Sequence, residues 1–113
     1  MKKIRVYVAG AYSKGDPCVN TKKAIDVADR LLKEGFIPFV PHLTHFWHTM
    51  SPKKYDDWIQ YDLQWLKVCD AMLVISESKG VNIEKKYCIK HSIPIFYNIG
   101  DMLKLKRRKN ERR

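Results

Sequence analysis

Ile4-Arg5-Val6-Tyr7-Val8-Ala9-Gly10 is a near-continuous apolar run that stops on a glycine. A half-buried strand would alternate apolar with polar; a run like this predicts a strand covered on both faces, as in a parallel sheet. Three more runs read the same way: Phe36 to Val40, Ala71 to Ser76 and Ile93 to Tyr97. Helical periodicity fills the gaps. Between Asn20 and Glu34, residues Ala24, Ile25, Ala28, Leu31 and Leu32 make one face, and Gly35 stops it. Between Lys54 and Cys69 the face is Tyr55, Trp58, Ile59, Asp62, Leu63, Trp65, Leu66 and Cys69. A third helix is expected from near Gly80 to near His91, with Ile83, Tyr87 and Cys88 inward. The alternation predicts an α/β fold, an open, mostly parallel sheet with helices on both faces.

The chain has 113 residues, enough for one domain with its own core. Residues 1–103 are read as that domain and 104–113 as a basic tail. The tail carries seven cations and one anion, so the +10 of the whole chain falls to +4 for the rest. Such a tail raises nucleic acid as a partner, but a solvated end is the preferred reading. Cys18, Cys69 and Cys88 are odd in number and scattered, which speaks against a disulfide framework and for a reducing compartment. The apolar stretch after Met1-Lys2-Lys3 is too short for a signal peptide, and no segment approaches a membrane span. A soluble, cytoplasmic protein without a membrane partner is expected.

Ligands of open parallel sheets bind beyond the carboxyl ends of the strands. Gly10 to Cys18, Pro41 to Pro52 and Glu77 to Glu84 lie there. Two carboxylates stand out. Asp62 shares its otherwise apolar helix face with Trp58 and Trp65, where a carboxyl is costly unless paired or protonated. An ion pair with a nearby lysine is the plainer reading; a general acid with a raised pKa is the functional one. Glu84 falls at the start of the third helix, where the dipole favours the ionised form. Dipole complementarity alone explains it, and an ionised nucleophile is the alternative. Together they match the acid and nucleophile that glycosidic cleavage needs. The first turn, Gly10-Ala11-Tyr12-Ser13-Lys14, is neither a dinucleotide nor a P-loop motif. Gly10 permits close backbone approach, and Tyr7, Tyr12 and Ser13 are candidate pocket residues. His42, His45 and His48 lack an acidic or cysteine neighbour, so no metal is expected. Phe46 and Trp47 suit stacking on a flat ligand.

Tyr7-Val8-Ala9-Gly10, Asp62-Leu63-Gln64-Trp65-Leu66 and Gly80-Val81-Asn82-Ile83-Glu84 resemble the nucleoside 2-deoxyribosyltransferase family, most closely its 2′-deoxynucleoside 5′-phosphate N-hydrolase branch. The loop holding His45, Phe46 and Trp47 looks like that of small relatives in the same superfamily. The resemblance spans residues 4 to 98 and implies a flavodoxin-like fold. It further implies a covalent mechanism with Glu84 as nucleophile on C1′ and Asp62 as acid to the departing base. Tyr7 and Gly10 match positions at the sugar and at the first loop. No cofactor is implied, and homodimers or larger homo-oligomers are usual in the family. The loop before Glu84 departs from the nucleotide hydrolase pattern; Ser78, Lys79 and Gly80 stand where a phosphate would be held. The expected substrate is a nucleoside or its 5′-monophosphate, ending in hydrolysis or base exchange. A non-catalytic nucleotide-sensing module on the same fold is the alternative.

Overall fold

Arg5–Ala9 forms strand β1, and from Val6 onward it has no exposed side chain. The structure is a computed structural model and describes residues 2–111. β1 lies in the middle of a four-stranded parallel sheet of order β2-β1-β3-β4, with β2 at Ile37–Phe39, β3 at Ala71–Val74 and β4 at Ile95–Phe96. Val6 to Ala9 pair with Ala71 to Val74, and Arg5 to Tyr7 pair with Ile37 to Phe39. The edge strands have only three and two residues.

The two-residue pleat repeat sorts β1 and β3 into two cores. Val6, Val8, Ala71 and Leu73 meet Ala24 and Leu31 of helix α1 (Pro17–Lys33) and Met102 of helix α5 (Ile99–Glu111). Tyr7, Ala9, Met72 and Val74 meet Leu66 of helix α3 (Tyr55–Leu66) and Val81 and Cys88 of helix α4 (Lys79–Lys90). Helices therefore cover both faces of an α/β, flavodoxin-like sheet. Among the described residues, no helix is long and apolar enough to cross a membrane.

Three features depart from the sequence reading. Helix α1 begins at Pro17 rather than Asn20, because Asp16 caps it by accepting from the amides of Cys18 and Val19 at 2.8 and 3.3 Å. The connection after β2 is not irregular. It contains a 3-10 turn at Pro41–Thr44 and helix α2 at His45–Met50. The basic segment from Lys104 is helical: α5 runs through it to Glu111, and residues 112–113 lie outside the described chain. Asn98 starts α5 by accepting from the Asp101 amide at 2.9 Å. Leu103 and Leu105 pack on the α1 core, and Lys106 Nζ donates to the Glu34 carbonyl at the end of α1. Cations dominate this stretch and hide its Ile99, Met102, Leu103 spacing, which is a helix face.

Candidate active site

A cleft of about 720 Å³ opens beyond the carboxyl ends of β1 and β2. Gly10, Tyr12, Ser13 and Lys14 form one wall, directly after β1. The helical connection after β2 supplies His42, Thr44, His48 and Lys53. Tyr55, Trp58 and Asp62 come from α3, and Ser78, Lys79, Gly80 and Glu84 from the start and second turn of α4. Its size suits a ligand of nucleoside or nucleotide dimensions.

Glu84 and Asp62 face this one cleft. Glu84 is 6% exposed, and the Tyr7 hydroxyl donates to its Oε2. Tyr7 is itself fully buried in β1. Burial, reinforced by Glu84 and Asp62, pushes its phenol well above the ordinary value, so it remains a donor. The dipole argument for Glu84 needs correction. The helix starts at Lys79, Glu84 sits one turn further in, and burial dominates: it raises the carboxyl to about 7 against the Tyr7 bond, which lowers it. Asp62 is raised further, to about 8, first by burial and then by the charge of Glu84. Its Oδ1 is buried with no hydrogen-bond partner among the described residues. Among the described residues no lysine pairs with it. Burial thus pushes both carboxyls toward the neutral form, and the Tyr7 hydrogen bond favours the anion of Glu84 alone.

The remaining sequence candidates divide. Tyr12, Ser13, Ser78, Lys79 and Gly80 line the cleft. Ser78 also caps α4, its Oγ accepting from the Val81 amide at 3.2 Å. Gly10 lines the cleft, but its missing side chain makes room for the protein itself: a Cβ there would meet Ile75 Cγ1 at 2.7 Å. Close approach is needed for β1 to pass the segment after β3. Tyr7 stands behind Glu84 rather than in the wall. His45 also stands back, bonded through Nδ1 to the Tyr12 hydroxyl, with Cys18 Sγ 3.6 Å from Nε2. Phe46 and Trp47 are not brought into the cleft. Phe46 is 72% exposed, because the short helix α2 buries none of its side chains. Trp47 packs edge-on against Trp58 at 5.1 Å and buttresses it from outside.

Trp58 is the indole that the cleft contains. Its Nε1–H donates to His48 Nδ1 at 2.8 Å, and the Lys53 amide donates to the same nitrogen at 3.2 Å. With Nδ1 accepting, the His48 proton sits on Nε2. Trp58 stands one helical turn before Asp62, so the spacing that singled out Asp62 also carried it. His48 had no such signal, since its position depends on α2. His42 is structural: Nε2–H donates to the Ala11 carbonyl at 2.9 Å, and burial lowers its pKa against the Ala11 and Gly10 carbonyls. No cluster of three or more metal-ligating side chains occurs among the described residues.

No curated protein matches the chain. Residues 4–98, from the residue before β1 to the residue before α5, match one family profile, described as a domain of unknown function. This α/β chain, with a buried Glu84 and a partly buried Asp62 in one cleft, belongs to the DUF7768 family.

Proposed function

We propose that the protein cleaves the N-glycosidic bond of a nucleoside or nucleoside 5′-monophosphate. The observation that carries the reading is the carboxyl pair. Asp62 and Glu84 share one largely apolar cleft whose burial raises both toward the neutral form, and the Tyr7 hydrogen bond to Glu84 favours the anion there, which supports Glu84 as the nucleophile and Asp62 as the acid. The resemblance to nucleoside 2-deoxyribosyltransferases points to the same two residues.

In this mechanism the Glu84 carboxylate attacks C1′ through its free oxygen while Tyr7 holds the other. A C–O ester bond forms, the C1′–N bond breaks, and its electron pair leaves with the base. Asp62 gives that base a proton. Charge builds up on the sugar as an oxocarbenium-like transition state, which the adjacent Glu84 anion stabilises. Asp62, now ionised, takes a proton from water as the water attacks C1′, and Glu84 departs as carboxylate. A second base in place of water gives exchange. Trp58 and Tyr55 offer ring faces to the base or sugar, and Lys14, Lys53 and Lys79 offer charge to a 5′-phosphate. Assembly of copies into a homo-oligomer and a cytoplasmic setting belong to the same proposal, on the resemblance alone.

Incubation with a panel of ribo- and deoxyribonucleosides and their monophosphates, with and without a free second base, tests the reading by chromatography. Released or exchanged base is expected from the wild type. Glu84→Gln, which keeps shape and the Tyr7 contact, should lower turnover by about a thousandfold or more, the scale of losing a covalent nucleophile. Absence of base release across the panel by folded wild-type protein, or undiminished turnover in Glu84→Gln, refutes it.

A further inference from the structure

The cations expected to hang free at the C-terminal end are held as a fixed array. Lys104, Arg107 and Arg108 lie at i, i+3 and i+4 on α5, so they share a face, and all three are exposed. Met102 is fully buried and Leu103 and Leu105 pack on the core, so the apolar residues of the helix are spent inward. Lys106 closes the junction with α1 by donating to the Glu34 carbonyl, and its Nζ lies 5.7 Å from the centre of the Phe36 ring. That contact sets α5 beside the last turn of α1, where Arg30 and Lys33 are exposed. The acids of this layer thin the charge without cancelling it. Asp26 pairs with Lys22 at 2.5 Å, Asp101 lies a loose 3.8 Å from Lys104, and Asp29 and Glu34 remain.

We propose that this α1–α5 face binds the phosphate backbone of a nucleic-acid duplex without regard to sequence. Five exposed cations on two adjoining helices supply the electrostatic footprint that such binding needs. No exposed aromatic side chain stands among α1 and α5, so unpaired bases have no stacking platform there. Leu32 is the one large apolar side chain exposed on these helices besides Val19 at the far end of α1, too little for insertion into a lipid surface. The face lies on the opposite side of the sheet from α3 and α4, which carry Asp62 and Glu84, so the proposal stands whether or not the cleft cleaves nucleosides.

The test is fluorescence anisotropy of a labelled random-sequence DNA duplex of about 20 base pairs, titrated with the full chain across a salt series. The wild type should bind with a log–log salt slope of roughly −3 to −5, given about 0.9 per cation engaged. Lys104→Gln/Arg107→Gln/Arg108→Gln should weaken binding at least tenfold at low salt and flatten the slope by about 2 to 3. Lys86→Gln/Lys90→Gln, on α4, should change neither. Arg30→Gln/Lys33→Gln addresses the same face from α1 and decides the matter should the triple variant not fold. Absence of duplex binding at low salt overturns the proposal. So does equal weakening by the α4 pair, tighter binding of single strands than duplex, or retention on anionic phosphatidylserine vesicles without duplex binding.

Discussion

With carboxyls raised to about 7 and about 8, the Asp62–Glu84 pair should hold one shared proton between those values. In the proposed mechanism the singly protonated pair is the working form, with Glu84 as the attacking anion and Asp62 as the acid. The kcat/KM profile should therefore be a narrow bell with limbs near those values. Asp62→Asn should remove the alkaline limb while costing most with poor leaving bases; an alkaline limb that survives the substitution would assign it elsewhere. Stability should move the other way. Asp62 has a folded pKa raised from 3.8 to about 8, so the folded state holds its proton more tightly than the unfolded chain. Its contribution is complete below the unfolded value and is lost as pH rises through the folded one. Asp62→Asn, neutral at every pH, should thus be more stable than wild type at pH 9 by at least about 1.4 kcal/mol, one pKa unit's worth. Thermal melts at pH 5 and pH 9 check this; a variant less stable at pH 9 would mean that the carboxylate finds a partner there. Asp62 was legible as a misplaced charge on an apolar face. The environment of Glu84 was not, because its cover comes from Tyr7, which lies 77 residues away in the chain.

Elements were legible wherever local pattern and burial agree. The four apolar runs became the four strands, and three amphipathic stretches became α1, α3 and α4. Two helices escaped for opposite reasons. In α2 no side chain is buried, so no periodic signal exists to read. In α5 the signal exists, but four inward residues are outnumbered by cations. Met102 decides whether that helix is part of the core. Met102→Ala removes a fully buried side chain and should cost about 2–5 kcal/mol, lowering Tm by well over 5 °C. A loss under about 0.5 kcal/mol by urea denaturation would make α5 an appendage. Gly35 ends α1 at a φ of +89°, in the left-handed region. That stop was readable from sequence, whereas the Lys106 side chain lying where a Cβ at Gly35 would point was not.

For the molecule as a whole, the thiols separate surface from interior. Cys18 is exposed, whereas Cys69 and Cys88 are buried under α3 and α4, and burial raises them to about 11 and about 12. A thiol reagent such as a disulfide dye at neutral pH should label Cys18 within minutes in the folded protein and the other two only after denaturant is added. Prompt labelling of two or three groups would show the α3–α4 layer to be open. The order β2-β1-β3-β4 also fixes when each contact becomes possible during synthesis. Ala9 pairs with Val74, and about 65 residues separate every such partner of β1 and β3. At about 5–20 residues per second the ribosome needs roughly 3–13 s to make that stretch. Throughout that interval β1 has its β3 side unpaired, with only β2 and α1 to shield it. The central place of β1, which secures both cores at the end, leaves one edge of that strand open on the ribosome at the beginning.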